Sequence, residues 1–151
     1  MIVRLEGVAM IDQLTVFLPN EPGTLAQMAQ VLGDNNIQMH ALMVADTADF
    51  GIVRIICDTP KKASKALADN GYRAATTQVA AFEVENVPGG LARTLRKLAD
   101  VRLNVEYAYC ASIGTRTVDV LKLTGKPIGA KLVRAGMHDL EPADVYVPDP
   151  E

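Results

Sequence analysis

Polar and apolar residues alternate over residues 13–18, QLTVFL, with Leu14, Val16 and Leu18 on one face and Gln13, Thr15 and Phe17 on the other. That period of two predicts a strand with one face in a core. Asn20 to Gly23 supply turn residues, and then the period changes. Leu25, Met28, Ala29 and Leu32 fall at helical spacing, so a helix is expected to about Asn35. Alternation returns in IQMHALMV (37–44), ADTADFG (45–51) reads as a connection, and IVRIIC (52–57) is a third strand rich in β-branched residues. Thr59 as cap and Pro60 at the first position start a second helix, Ala63, Ala66 and Leu67 form its stripe, and Asn70-Gly71 stops it. YRAATTQ (72–78) predicts a fourth strand.

The same order then recurs. VAAFEVE (79–85) reads as a strand, and a helix from about Pro88 to Asp100 buries Leu91, Leu95, Leu98 and Ala99. LNVEYAYCAS (103–112) and RTVDVLKLT (116–124) form a hairpin. KPIGAKLVRAG (126–136) is a helix weakened by glycine and proline, and a last strand is expected within 138–147. Pro148 and Pro150 suggest a loose tail. Strand, helix, strand, strand, helix, strand is the split βαβ, or ferredoxin-like, motif. The expected fold is α+β: two ferredoxin-like βαββαβ units at 10–78 and 79–147, with residues 1–9 as an extension and 148–151 as a tail. A small unit of this kind leaves an open antiparallel sheet edge. Pairing of the units into larger sheets, within one chain or across two, would cover it.

The two units share a phrase. NEPGTLA (20–26) and NVPGGLA (86–92) agree at five of seven residues, sixty-six positions apart. As a strand-to-helix turn the phrase is self-explanatory: Pro22 fixes φ at a helix start and Gly23 permits tight packing. A helix start also exposes free backbone N–H groups at the positive end of a dipole, which suits a carboxylate or phosphate. Gly23 and Gly89 would let a small ligand approach the backbone. Both readings remain open on spacing alone.

A strand ending in LPNEPGTLA, then a helix, then a strand beginning near NIQMHAL, resembles the start of an ACT domain. Both units carry the Pro-Gly-Xaa-Leu turn, at Pro22-Gly23-Thr24-Leu25 and Pro88-Gly89-Gly90-Leu91. ADTADFGIVRIICDTPKKASKALADNGY (45–72) is similar to a stand-alone group of tandem ACT proteins, and the likeness spans about residues 11–147. The resemblance implies a non-catalytic regulatory module that binds a free amino acid at interfaces between paired domains. It places ligand contacts at Asn20, Glu21, Pro22, Gly23, Thr24 and Leu25, and at Asn86, Val87, Pro88, Gly89, Gly90 and Leu91. The adjoining second strand adds His40, and Asp46, Asp49, Phe50 and Gly51 follow it. Helix-start N–H groups would hold an α-carboxylate, and Asp46 or Asp49 an α-ammonium. The second unit has ASIGTRTVD (111–119) where the first has ADTADFGIV, so the first is expected to be the better site. The resemblance also implies a homodimer and a partner enzyme of amino-acid or aryl-coenzyme A metabolism. The alternative is an interaction subunit like the acetolactate synthase small subunit, acting through protein contact without a ligand of its own.

Composition narrows the partners. A net charge of −3 gives no reason to expect nucleic acid or an anionic membrane surface. No apolar run is long enough to span a bilayer. The opening MIVRLEGVAM is broken by Arg4, Glu6 and Gly7, so no signal peptide is expected. Cys57 and Cys110 sit singly in apolar runs, the pattern of buried thiols in a reducing cytoplasm.

Candidate chemistry is thin. His40 and His138 are the two histidines, and no His or Cys spacing suits a metal. His40 is a ligand contact or a partly buried strand histidine. Nucleophile-elbow and phosphate-loop motifs are absent, and no cofactor is implied. Arg116 at the hairpin tip reads as solvated. Tyr107 and Tyr109 share one strand face, as a packing surface or a stacking one. Ferredoxin-like enzymes such as acylphosphatases need an arginine in the turn after the first strand, where this chain has NEPG.

Overall fold

In the computed structural model, residues 8–46 and 50–151 are described, without the side chains of Asp46 and Phe50. Contacts divide the chain into two units. The first holds Asp12–Thr77 together with Val145–Glu151, and the second holds Gln78–Asp144 together with residues 8–11. The repeated α+β, ferredoxin-like plan is what these units display.

The first unit runs β1 (Ile11–Pro19), α1 (Thr24–Asp34), β2 (Met39–Asp46), β3 (Phe50–Cys57), α2 (Pro60–Asp69) and the first half of β4 (Arg73–Glu83). Its strand order is β2-β3-β1-β4, with β3 antiparallel to both β1 and β2. The apolar face of β1 enters a core as the sequence implies, although Gln13 on the opposite face is fully buried as well. Leu14, Val16 and Leu18 meet Val53 and Ile55 in one core, and Met28, Leu32, Ala63 and Leu67 close it from the helices. Full burial of each leucine or isoleucine there is worth roughly 1.5–3 kcal/mol.

The tail is fastened rather than loose. Val147 donates its N–H to Asp58 Oδ1 at 2.8 Å and accepts from the Thr59 N–H at 2.7 Å. The Tyr146 hydroxyl accepts from the Asp12 N–H at 2.9 Å. Thr59 is left-handed, with φ 41°, and its side chain makes no cap bond, contrary to expectation. The carboxylate of Asp149 takes that role, accepting from the N–H groups of Lys61 at 2.9 Å and Lys62 at 3.0 Å. Proline lacks an N–H but its neighbours do not, so Pro148 and Pro150 do not prevent this docking.

The second unit runs from the rest of β4 through α3 (Gly90–Asp100), β5 (Asn104–Ile113), β6 (Arg116–Thr124) and α4 (Ile128–Arg134), and reaches the short α5 (Pro142–Val145). Its strand order is β4-β6-β5. Ala80, Phe82, Val84, Leu98, Leu121, Leu123 and Leu132 form its core, and Val8 joins them. Asp139 accepts from the N–H groups of Ala9 and Met10.

Several expectations change here. The strands expected at 72–78 and 79–85 are one strand, β4, because RAATTQVAAFE contains no turn residue to divide it. The strand expected within 138–147 does not form. Leu140 donates one N–H to Ala81 O at 2.7 Å, and the chain then turns into α5. Pro142 lacks the N–H that a ladder needs, and Glu141 N–H and Asp144 Oδ2 close the new turn at 2.9 Å. Cys57 is buried, but Cys110 is exposed, because β5 is an edge strand and position 110 on it is uncovered. Arg116 is not merely solvated: it lies 3.8 Å from Glu83 and 3.5 Å from Asp144.

The long-range cap on α2 generates a prediction. Asp149→Ala should lower stability by about 1 kcal/mol, the usual worth of an N-cap side chain. Urea denaturation with an unchanged midpoint would contradict that role.

Candidate functional site

In each unit a strand ends and a helix begins within a few residues, and the turn is built the same way twice. Gly23 has φ 86° and ψ −11°, and Gly89 has φ 83° and ψ −4°. Such angles strain any residue with a Cβ, which is why glycine recurs at both places. Glu21 N–H donates to Pro19 O at 3.0 Å, and its counterpart Val87 donates to Glu85 O at 2.9 Å. Thr24 N–H donates to Glu21 O at 3.4 Å, and Gly90 to Val87 O at 3.0 Å. Among the described residues, no side chain caps the first turn of α1 or α3. Their N-terminal ends are therefore open to an anion.

The two turns differ at the next position. Thr24 Oγ1 lies 2.7 Å from Pro19 O and 3.0 Å from Glu21 O, tying the first turn together. Gly90 has no side chain and is buried where a Cβ would stand 2.2 Å from Glu85 O. Arg93 and Glu85 pair at 3.0 Å beside the second turn.

Asn20, Glu21, Pro22, Gly23 and Leu25 are exposed, and Thr24 is half-buried. Asn86, Val87, Pro88, Gly89 and Leu91 are exposed. Gly51 pairs with Leu18, and the Phe50 backbone with Pro19, so both lie at the turn end of the first sheet. Asp46 pairs with Gly51 through the backbone, at that same end. Asp49 lies outside the described residues. His40 is not brought to this place. It stands at the other end of β2, whose start pairs Met39 with Cys57.

There His40 Nε2 lies 2.8 Å from Asp58 Oδ1, the atom that also accepts the Val147 N–H. Burial alone would raise the Asp58 carboxyl, but the Val147 N–H and His40 outweigh it and hold it below the ordinary value. The neighbouring Cys57 thiol is pushed up to about 12, chiefly by burial, so it stays protonated and unreactive at neutral pH.

Besides Gln13, a second buried polar residue is one the sequence reading does not single out. Asp119 in β6 is 4% exposed, and its Oδ2 has no hydrogen-bond partner among the described residues. Burial pushes its carboxyl up. The signal was in the pattern: in RTVDVLKLT the alternation puts Asp119 on the face of Leu121 and Leu123, where an acid is out of place.

The fold and the repeated glycine turn define a tandem ferredoxin-like protein with two open helix starts. The chain belongs to the ACT domain family, matching the ACT domain pair over residues 9–133. It is similar to a crystal structure of a protein from Bacteroides thetaiotaomicron, at 33% identity and a TM-score of 0.82, over 91% of this chain and 96% of that one. It is also similar in fold to the ligand-free regulatory subunit of aspartate kinase from Thermus thermophilus, at 17% identity and a TM-score of 0.58, over 87% of this chain and 93% of that one. The corresponding subunit from Thermus flavus has 18% identity and a TM-score of 0.56, over 85% and 94%. Among curated proteins, none matches this chain by sequence.

Two predictions follow from the geometry. Gly90→Ala should destabilise the protein more than Gly23→Ala, because the first forces Cβ onto a carbonyl while the second meets open space. The Gly23 change should be limited to its left-handed φ, about 1–2 kcal/mol; equal thermal shifts would refute this order. Asp58, held below its ordinary value, contributes stability that is full above the unfolded carboxylate value of about 3.9 and is lost as pH falls through the folded one. The stability gap between wild type and Asp58→Asn should therefore be widest at neutral pH and shrink below about pH 4. A gap that is constant from neutral pH to pH 3 would contradict it.

Proposed function

We propose that this chain is a non-catalytic regulatory protein that binds a free amino acid at the helix-start turns of its ACT domains and passes that state to a partner enzyme. The observation that carries the reading is the open, uncapped helix start behind a left-handed glycine, built twice with matching backbone bonds. Residues 20–25 and 86–91 are the proposed contacts. Backbone N–H groups there take the α-carboxylate, and the glycines keep side chains out of its way. Gly51, Asp46, Asp49 and Phe50 are proposed to complete the first site, and His40 is proposed as a contact from β2 of an adjoining domain.

The mechanism is a population shift. A ligand moves an equilibrium between two arrangements only by binding one of them better. Membership of a family of regulatory domains supports this role, and the aspartate kinase subunits share the fold alone. The partner is proposed to be an enzyme of amino-acid or aryl-coenzyme A metabolism, and the setting cytoplasmic. No helix among the described residues is long and apolar enough to cross a membrane.

A second reading has its own observation. Leu42 and Val44 on the edge strand β2 are 47% and 48% exposed, and Leu25 on α1 is 38% exposed. Edge strands with exposed apolar side chains are rarely left uncovered. A homodimer would cover them, and so would a partner subunit that the chain regulates by contact alone.

A thermal-shift screen against each proteinogenic amino acid separates the two readings. The sensor reading expects one specific hit, which at 100 times its dissociation constant stabilises the native state by about 2.7 kcal/mol. If no amino acid stabilises the protein, the sensor reading falls and the contact-only subunit stands.

A further inference from the structure

The offset of sixty-six that aligns the Pro-Gly turns also aligns the helices behind them, QMAQVLGDNN (27–36) and RTLRKLADVR (93–102). Leu32 and Leu98 keep a core position, and Asp34 and Asp100 keep an acid. Four other positions change together. Gln27, Gln30, Val31 and Asn36 are replaced by Arg93, Arg96, Lys97 and Arg102, all four of them exposed. One acid alone gives the first segment a formal charge of −1, and four cations less one acid give the second +3. Packing needs none of these cations, since the first unit builds the same helix without them. Arg93 is answered by Glu85 at 3.0 Å. Among the described residues, no carboxylate pairs with Arg96, Lys97 or Arg102.

Arg102 is the least expected of them. It follows α3 at φ 60°, as Asn36 follows α1 at φ 57°. Asparagine visits the left-handed region readily and arginine does not. A cation in the last turn of a helix, such as Lys97, answers the helix dipole. The dipole gives no reason to place an arginine in a left-handed backbone where asparagine serves. The start of α4 then brings further cations to the same place. Lys131 Nζ donates to Arg102 O at 3.2 Å and to Gly125 O at 2.7 Å. Gly125 has φ 110°, and a Cβ there would stand 2.8 Å from Arg102 O, so glycine permits the approach. Lys126 follows Gly125, and Arg134 lies one turn beyond Lys131 on α4. Lys126 and Arg134 are exposed and have no carboxylate partner among the described residues. Val133, next to Arg134, is 55% exposed.

We infer that the face made by α3, the turn after it and α4 docks an acidic segment of a partner protein, with Arg96, Lys97, Arg102, Lys126 and Arg134 as its cationic contacts. This rests on the partner half of the function proposed above, and not on its amino-acid half. Unpaired cations held close together repel one another, and an acidic partner relieves that repulsion while steering its own approach. A nucleic acid suits the face less well. The whole chain carries −3, and neither α3 nor α4 has an aromatic side chain on which a base could stack. Val133 offers apolar contact beside the cations, which a protein segment can use and a phosphate backbone cannot.

The test is a fluorescence-anisotropy titration of labelled poly-L-glutamate with the full chain at low ionic strength, with a short DNA duplex and phosphatidylserine vesicles as competing probes. The double variant Arg96→Gln/Arg102→Asn takes its residues from the first unit, which folds with them. Lys61→Gln/Lys62→Gln removes the same charge from the first unit. Wild type and the lysine variant should bind poly-L-glutamate alike, and added salt should weaken both. The arginine variant should bind about tenfold more weakly, the scale of two exposed ion pairs, and should melt no lower than wild type. The inference is overturned if wild type does not bind poly-L-glutamate, if the arginine variant binds it within about twofold of wild type, or if the duplex or the vesicles bind more tightly. All of this is read without an amino acid present. Failure here therefore leaves the amino-acid reading standing, and an empty thermal-shift screen leaves this inference standing.

Discussion

The structure depends on one backbone conformation, adopted twice. Each strand hands over to its helix through a short turn, residues 20–23 in the first unit and 84–89 in the second, that ends on one residue in the left-handed region. Gly23 and Gly89 supply it with nearly the same angles. That turn sets where each helix lies on its sheet, and so which apolar side chains can close each core. Among the described residues, no side chain caps the first turn of either helix. The turn that positions each helix is therefore also the place where the proposed function seats its ligand.

From that common start the units diverge. The first ties its turn with the Thr24 hydroxyl and keeps an apolar face along Leu42, Val44 and Val53. The second replaces the hydroxyl with a bare Gly90 packed against Glu85, and puts Asp119 where the first has Val53. One unit presents apolar surface along its edge strand, and the other has a buried acid whose Oδ2 has no partner among the described residues.

Much of this was legible along the chain. Leu14, Val16 and Leu18 announce β1 and its buried face by alternation alone, and the Pro-Gly phrase announces both helix starts. The resemblance to ACT domains rests on that phrase, and the family match agrees. What was not legible is mostly long-range. Asp149 caps α2 from far along the chain, and nothing local in PDPE signals a cap for Lys61 and Lys62. The two expected strands are one, β4, because RAATTQVAAFE offers no turn residue at the expected break. Cys110 reads as buried because its run is apolar, yet an edge strand covers only what its neighbours reach. Asp119 is the opposite case: its pattern signal was present and pointed inward.

The central claim is that an amino acid seats its carboxylate on an ACT helix start. The most direct measurement is an amide chemical-shift titration of the 15N-labelled chain with the stabilising amino acid. The account predicts that the largest shifts fall on the amides of the Pro-Gly turns, Gly23, Thr24 and Leu25 or Gly89, Gly90 and Leu91. Large shifts elsewhere, for example around His40 and Asp58, with unmoved amides at both Pro-Gly turns, would contradict it.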